Sequence, residues 1–343
     1  MIEVGERARE LLRSCIVIDG LGGALINPTP HLVNGKEYVD LVRESGVTAL
    51  SVTLVSEPGC NSEMRETLHG FYFNYRLIET SPDRLLLVTH ADDIVEAKRT
   101  GRVGVILNLQ STWVLGMDRT LVSILHRLGL RVLQLTYMER NHVGSGCLEP
   151  VDLGLTSFGK QVVREMNRVG MLVDLSHAGV KTSLDAIETS EHPCAFTHAN
   201  ARALTDHPRN LTDEQVRACA ARGGVIGLNS YASYVESTPG QHPTIEDFLN
   251  HVQYAVELAG IDHVGLGTDF FEGKLPATFL TNTVYPEFRT KYNVTARRAH
   301  GFSRIDELPN VVQGLLNRGF TPEQVRKFLG ENFLRLFRQA WKR

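Results

Sequence analysis

The amino-acid sequence predicts an α/β protein of the TIM-type (β/α)8 barrel class, with additional helices at both ends. It contains eight short apolar runs rich in Val, Ile and Leu, and most of them are separated by an amphipathic helical segment. The runs are almost continuously apolar rather than alternating, as expected for parallel strands that are covered on both faces. Eight parallel strands close such a barrel. An open, doubly wound sheet is the alternative arrangement for the same pattern.

The eight predicted strands follow a first amphipathic helix. Their bounds are Ser14–Asp19, Val47–Val55, Val103–Leu109, Arg131–Thr136, Met171–Leu175, Cys194–Phe196, Gly224–Leu228 and His263–Gly267. A shorter run, Leu85–Val88, is a further strand candidate. Thr212 and Thr321 are each followed by Gln three residues later, which predicts capped helix starts. The connection Met138–Leu155 is long, polar and glycine-bearing, which predicts an active-site loop.

Length and composition favour one domain over residues 1–343 and argue against several classes of protein. The chain is 42% hydrophobic with a net charge of −3, so no basic surface predicts a nucleic-acid partner. No apolar stretch is long enough for a membrane span, and the charged first helix lacks the apolar centre of a secretory signal. The five cysteines are scattered and odd in number, which predicts free thiols and a cytoplasmic location.

Two neighbouring predicted strands within Met171–Arg209 are each followed, two residues after their end, by a histidine, His177 and His198. One helix fits between them, so the unit is predicted to be a right-handed strand–helix–strand crossover with both histidines at one edge of the sheet. That edge carries the chemistry in barrel enzymes. A single histidine is more often structural, but two at matching strand ends favour a site.

The predicted barrel mouth is lined by polar residues that follow the strands. Imidazoles suit a divalent metal such as zinc, a carboxylate can serve as ligand or general base, and an arginine can hold a substrate carboxylate. The candidates are His177 and His198 as catalytic residues or metal ligands, Asp269 as a catalytic residue, and Arg209, Tyr137, Gln110 and Asn229 as substrate contacts. Asp174 is a candidate partner that orients a histidine. Alternatively, Asp269 is an ordinary turn residue and Arg209 an exposed residue of a helix start.

The runs VDLSH, FTHANARAL and HPRN, together with LGTDF and the closing LGENFLRLF, resemble the membrane (renal) dipeptidase family of zinc metallopeptidases. The similarity extends from VIDG at the first strand almost to the end of the chain. The resemblance implies a homodimeric (β/α)8 barrel with two zinc ions, bridged by a glutamate and a hydroxide that attacks a dipeptide bond. By position, His177 and His198 match the two histidine ligands of one zinc. Asp269 matches the aspartate that handles the water, and Arg209 the arginine that binds the substrate's terminal carboxylate.

Four polar positions of that family pattern differ in this chain. The family's first strand ends in Asp-Gly-His-Asn-Asp, whereas this chain has Leu21 for the histidine and Gly23 for the second aspartate. Gln110 replaces the bridging glutamate, and Tyr137 replaces a further histidine. Two dications about 4 Å apart repel by about 16 kcal/mol at an effective dielectric of 20. The sequence therefore predicts at most one divalent metal, such as Zn²⁺, or none.

Three functions are compatible with these residues. The first is a dipeptidase-like hydrolase of a small amide or dipeptide-like substrate that bears a carboxylate, with at most one divalent metal. The second is a repurposed, metal-poor or metal-free barrel enzyme that does other acid–base chemistry in small-molecule biosynthesis. The third is a non-catalytic binding protein on the same scaffold, since fold alone does not determine function.

Overall fold

Eight parallel strands form a nearly closed barrel in the computed structural model, which describes residues 2–22, 32–33, 35–54, 63–238, 240–270 and 298–341. The strands pair in chain order, as the sequence predicts for a (β/α)8 barrel. They are β1 (Ile18–Asp19), β2 (Ala49–Thr53), β3 (Val103–Leu109), β4 (Leu130–Gln134), β5 (Leu172–Asp174), β6 (Ala195–Phe196), β7 (Val225–Leu228) and β8 (Val264–Leu266).

Hydrogen bonds join the first and last strands at the seam of the barrel. The Gly20 amide donates to the Leu266 carbonyl at 2.8 Å. The Asp19 carboxylate accepts from the Thr268 amide at 2.8 Å and from the Thr268 hydroxyl at 2.6 Å. These contacts bring the end of the chain's last strand beside the end of the first, so that all eight strand ends surround one mouth.

The helices alternate with the strands and cover the outside of the barrel, where the larger apolar core lies. They are α1 (Glu6–Ser14), α2 (Tyr38–Glu44), α3 (Met64–Thr80), α4 (Ala91–Thr100), α5 (Thr120–Arg127), α6 (Ser157–Val169), α7 (Val180–Thr189), α8 (Asp213–Ala221), α9 (Ala232–Val235), α10 (Ile245–Ala259), α11 (Leu308–Asn317), α12 (Pro322–Arg326) and α13 (Asn332–Ala340). A π-helical turn, Lys327–Glu331, joins the last two. Short 3₁₀ turns occur at Trp113–Leu115, Ile261–His263 and Ile305–Glu307.

The C-terminal helix α13 closes the bottom of the barrel, opposite the mouth. Phe333 is fully buried against inward-facing strand residues such as Ile18, Leu172 and Val225. The indole of Trp341, just after α13, donates to the Arg131 carbonyl at 3.1 Å. The closing LGENFLRLF run is therefore part of the barrel core rather than a separate appendage.

Most predicted elements are confirmed, and the largest difference is at the first strand. The predicted strand Ser14–Asp19 is too long, because Ser14 still belongs to α1 and its hydroxyl bonds the Leu11 carbonyl at 2.9 Å. The run at Leu85 forms an accessory strand, Leu85–Leu87, that pairs with the first half of β3, and a separate two-stranded hairpin joins Leu32–Val33 to Lys36–Glu37. Both predicted capping boxes are present, at Thr212 and Thr321.

The described cysteines are all free thiols. Cys15, Cys194 and Cys219 are buried and Cys147 is half-buried, whereas Cys60 lies outside the described residues. Among the helices that the structure describes, none combines the length and the apolar character that crossing a bilayer requires.

Candidate active site

The two predicted histidines meet at the barrel mouth. His177 follows β5 and His198 follows β6, both side chains are buried, and their Nε2 atoms lie 2.9 Å apart. The His177 ring also stacks on Tyr137, with ring centroids 4.1 Å apart. The crossover predicted from the sequence thus brings two imidazoles together at one point.

Each imidazole has its Nδ1 atom turned away from that point. Asp174, the last residue of β5, accepts the Thr197 hydroxyl at 2.6 Å, and Thr197 Oγ1 lies 2.9 Å from His198 Nδ1. Since the hydroxyl proton goes to the carboxylate, the oxygen accepts from His198 Nδ1–H. The Met138 thioether, an acceptor, lies 3.2 Å from His177 Nδ1. We therefore assign the proton of each imidazole to Nδ1, which leaves both Nε2 lone pairs directed at one point.

The geometry of the two Nε2 lone pairs shows whether His177 and His198 fit the metal that the fold family implies. Two acceptors at 2.9 Å repel unless a cation or proton lies between them, and two nitrogens on one tetrahedral zinc are about 3.4 Å apart. His177 and His198 therefore fit two positions around a single divalent cation. Across the described ranges no cluster of three His, Cys, Asp or Glu side chains forms a metal-binding group, so Asp269 does not complete the pair. A two-metal centre does not fit these residues.

Burial keeps both histidines neutral. It lowers the pKa of His177 and of His198 well below the ordinary value of 6.5, and the positive charge of Arg209 lowers both further. Neutral imidazole is the form that binds a metal. Neither side chain suits the role of a protonated acid near neutral pH.

His177 and Asp269 are the described non-glycine residues with a positive φ, at 65° and 54°. This left-handed backbone is uncommon for L-residues and is frequent at functional sites. The Asp269 amide donates to the Leu21 carbonyl at 2.7 Å, which ties the residue after β8 to the residue after β1. Asp269 itself is half-buried at the mouth, on the same edge as the histidine pair.

Arg209 is buried beside the histidines, not exposed at a helix start. Its side chain donates through Nη2 to the His198 carbonyl and lies over the Tyr234 ring at 5.8 Å. Only 2% of the residue is exposed, and its buried Nε and Nη1 atoms have no hydrogen-bond partner. A buried guanidinium with two unused donor nitrogens is costly to the protein unless it binds an anion.

The predicted active-site loop packs on the histidine pair. Besides Met138, it supplies Cys147, whose amide donates to the His177 carbonyl at 2.7 Å and whose sulfur lies 3.5 Å from the Met138 sulfur. Burial raises the pKa of the Cys147 thiol to about 11, so the thiol is protonated and not a nucleophile at neutral pH.

The remaining predicted residues are buried at the mouth, except Gly23, which lies outside the described residues. Gln110 and Leu21 are 4% and 1% exposed, so neutral, enclosed side chains occupy both positions where the resemblance implies metal ligands. Asn229 accepts through Oδ1 from the Tyr231 amide at 3.0 Å, and its Nδ2 is buried without a partner. The Gln134 side chain donates to the Gln110 carbonyl.

Three contributions to the site were not predicted from the sequence. Thr197 links Asp174 to His198, and its position directly before a strand-end histidine is a signal that could have indicated it. Tyr231 and Tyr234 stack at 4.6 Å and form one wall of the mouth. Arg298 lies far along the chain from every predicted motif, yet its guanidinium donates to the Asp269 carbonyl. No sequence pattern indicates that last contact.

Comparison with known proteins agrees with the motifs. The membrane dipeptidase family (Peptidase family M19) matches residues 5–289. Dipeptidase tcpJ of Claviceps purpurea (strain 20.1) is 31% identical over 324 residues, which cover 91% of this chain and 71% of the relative. Dipeptidase verJ of Clonostachys rogersoniana is 29% identical over 275 residues, 80% of this chain and 64% of the relative. Both relatives are thus longer than the segment they share with this chain.

Solved structures share the fold over nearly the whole chain. An amidohydrolase from Pseudomonas aeruginosa is 31% identical with a TM-score of 0.86, and covers 97% of this chain and 99% of its own. A metallo peptidase from Rhodobacter sphaeroides, liganded with a phosphinate mimic of the dipeptide L-Ala-D-Ala, has a TM-score of 0.78 at 22% identity. It covers 96% of this chain and 100% of its own, and at that identity it supports the fold alone. Because the family match covers most of the sequence, this chain belongs to the membrane dipeptidase family, peptidase family M19, and is a dipeptidase-like hydrolase.

Proposed function

We propose that this hydrolase cleaves a dipeptide-like or other small amide substrate whose terminal carboxylate binds Arg209, and that it works with at most one divalent cation. The observation that carries the proposal is the guanidinium of Arg209, which is enclosed in the mouth with two unused donor nitrogens. A carboxylate can accept two parallel hydrogen bonds from such a group. Burial strengthens the preference of Arg209 for a carboxylate, because an unpaired charge in a low-dielectric site is unfavourable.

Asp269 is the proposed general base. It is half-buried on the same edge as the histidine pair, and its left-handed backbone is held by the Leu21 carbonyl. A carboxylate at this position can take the proton of a water that attacks the amide carbon. Arg209, anchored on the His198 carbonyl, would fix the substrate's far end and so orient the amide toward Asp269.

His177 and His198 are the proposed ligands of one cation, through the Nε2 atoms that face each other. When bound, a divalent cation there would polarise the substrate carbonyl or acidify a water. Thr197 and Asp174 keep the His198 proton on Nδ1 and so leave its Nε2 atom free for that role.

The carboxylate proposal is tested with dipeptides and their C-terminal amides, including L-Ala-D-Ala, assayed by release of free amino acids. We expect the wild type to prefer the free carboxylate by about 100-fold in kcat/KM, the value of a charge-assisted, buried pair. Arg209→Met should remove this preference. Arg217→Met, which removes an exposed arginine of α8, is the matched control. Equal rates for acid and amide in the wild type would overturn the proposal, whether or not the variants fold.

A second candidate, other acid–base chemistry on a carboxylate-bearing small molecule, is favoured by the buried Leu21 and Gln110 at the family's ligand positions. It predicts that no amide is hydrolysed when zinc or manganese is supplied, while carboxylates still bind in a manner that depends on Arg209. The same assay, joined to calorimetric binding of a carboxylate such as N-acetylglycine, separates the two candidates.

A further inference from the structure

Arg298 is a second cationic group at the mouth, and neither the family motifs nor the matched residues 5–289 include it. Its Nη2 donates to the Asp269 carbonyl. Its guanidinium lies 4.7 Å from the Tyr231 ring centroid and 5.7 Å from that of Phe270. The Nη1 atom is buried and has no hydrogen-bond partner. One end of this guanidinium is thus fixed while the other has unused donors.

The two arginines are arranged in the same way around the site. Arg209 donates to the main-chain oxygen of His198, and Arg298 to that of Asp269. Each guanidinium also lies over one ring of the stacked Tyr231–Tyr234 pair, whose centroids are 4.6 Å apart. The two aromatic rings therefore lie between the two guanidinium groups. One guanidinium is anchored on the backbone of the proposed cation ligand, His198, and the other on the backbone of the proposed base, Asp269.

Neither guanidinium forms an ion pair with a residue of the described ranges. The described titratable groups near the two guanidinium groups include Asp269, the two histidines, the two tyrosines, Cys147 and His207. Among the described residues of the mouth, two guanidinium groups thus keep unused donor nitrogens. Two such groups favour a multiply charged anion.

We propose that Arg298 binds a second acidic group of the substrate, so that the site selects dianionic ligands such as dipeptides with an Asp or Glu side chain. The inference rests on the proposed function for the role of Arg209, which takes the terminal carboxylate. Arg298 supplies the selectivity: its unpartnered Nη1 group can donate to a carboxylate, and the aromatic faces of Tyr231 and Phe270 hold its plane in place.

Binding is the direct test, because it does not require turnover. Succinate, glutarate and adipate are compared by titration calorimetry with their monoamides, which have the same shape and one carboxylate fewer. We expect at least one diacid of the series to bind the wild type about tenfold more tightly than its monoamide. If every diacid binds as weakly as its monoamide, the proposal is wrong, irrespective of any variant.

Variants of Arg298 then test whether this residue causes the preference for diacids. Arg298→Met should reduce the ratio of diacid to monoamide affinity to about one, and Arg298→Lys should restore part of it. Arg304→Met is the matched control, since Arg304 lies on the same segment and pairs with Asp306 at 2.9 Å. A ratio that survives Arg298→Met in a folded protein contradicts the assignment.

Kinetics separate this inference from the proposed function. If the protein hydrolyses dipeptides, Ala-Glu and Glu-Ala should have a lower KM than Ala-Gln and Gln-Ala in the wild type, and Arg298→Met should abolish the difference. If no dipeptide is hydrolysed but the diacid preference holds and depends on Arg298, the proposed reaction fails and the dianion site stands. If dipeptides are hydrolysed without preference for acidic ones, the inference fails and the reaction stands.

Discussion

Two buried aspartates perform the same task at two places on the barrel rim. Asp174 at the end of β5 accepts from the amide and the hydroxyl of Thr197 at 3.1 and 2.6 Å. Asp19 at the end of β1 accepts from the amide and the hydroxyl of Thr268 at 2.8 and 2.6 Å. Each threonine directly precedes a proposed site residue. The side chains that would touch the substrate are therefore positioned by carboxylates that lie below them in the barrel.

The Asp19 carboxyl should make stability depend on pH. Burial raises its pKa from 3.8 to about 7, against the opposing effect of the hydrogen bonds from Thr268. Between about pH 4 and 7 the folded protein keeps a proton that the unfolded chain has released. The free energy of unfolding should then fall as pH rises, by up to about 1.4 kcal/mol per pH unit. Asp19→Asn should remove this slope, as measured by urea unfolding from pH 4.5 to 7.5.

The comparison between wild type and variant is needed because other groups act in the opposite direction. Burial lowers the pKa of His126, His207 and His251 to about 4, so these histidines stabilise the fold less as pH falls from 6.5 toward 4. Their contribution is common to both proteins and cancels in the difference. Parallel stability curves for wild type and Asp19→Asn would show that the carboxyl is ionised throughout.

At the scale of elements, the strand ends approach one another more closely than a side chain allows. A Cβ at Gly227 in β7 would lie 2.1 Å from the Thr197 carbonyl oxygen, and one at Gly267 after β8 would lie 1.9 Å from the same atom. Gly267, the glycine of the LGTDF run, is therefore required by the packing against β6. That contact also positions the residues that follow Gly267.

Gly267→Ala should push β8 away from β6 and displace the site as well as weaken the fold. Overpacking of this kind costs about 1–3 kcal/mol, so we expect a fall of several degrees in Tm. Affinity for a carboxylate ligand should fall too, because Thr197 and His198 must shift. Gly5→Ala is the control, since its added Cβ would lie at an ordinary 3.4 Å from the Gln313 side chain. An unchanged Tm in Gly267→Ala would contradict the packing argument.

Elements could be predicted from the sequence where one local pattern determines them. The seven-residue run of β3 and the capping box at Thr212 are examples, since periodicity and side-chain chemistry suffice. Arg298 could not be predicted, because its contact with Asp269 spans 29 residues of chain and leaves no local pattern. Arg209 is an intermediate case: the role proposed for it comes from a family resemblance, but its burial and its unused donors are visible only in the folded protein.

At the scale of the whole molecule, the barrel of the family carries a mouth whose residues differ from the ligands that the resemblance implies. The floor built on Phe333, the order of the strands and the seam at Asp19 are features of the fold as a whole. The barrel class predicted from the sequence implies the strand order, whereas the floor and the seam are visible only in the structure. The chemistry depends on a few strand ends, where one substitution changes the charge by a full unit. Leu21 and Gln110 have no formal charge and are buried, so we expect this mouth to hold fewer cations than a two-metal centre holds.

We therefore expect the number of bound cations to distinguish this mouth from a two-metal centre. Two dications about 4 Å apart would repel by about 16 kcal/mol at an effective dielectric of 20, and only a bridging carboxylate and added ligands offset that. We expect at most one Zn²⁺ per chain after dialysis against excess zinc, measured by elemental analysis. His177→Ala and His198→Ala should each bring it close to zero.

Introducing the ligands of the family pattern into this mouth should add a second bound cation. The triple variant Leu21→His, Gly23→Asp and Gln110→Glu supplies the ligands that the family pattern has at these positions, and we expect it to bind two Zn²⁺ per chain with the histidine pair intact. Leu21→Ala with Gln110→Ala, which opens the same space without adding ligands, should stay at one or fewer. Two zinc ions per chain in the wild type would contradict the electrostatic argument, because neutral Leu21 and Gln110 would then have to tolerate four positive charges in one buried site.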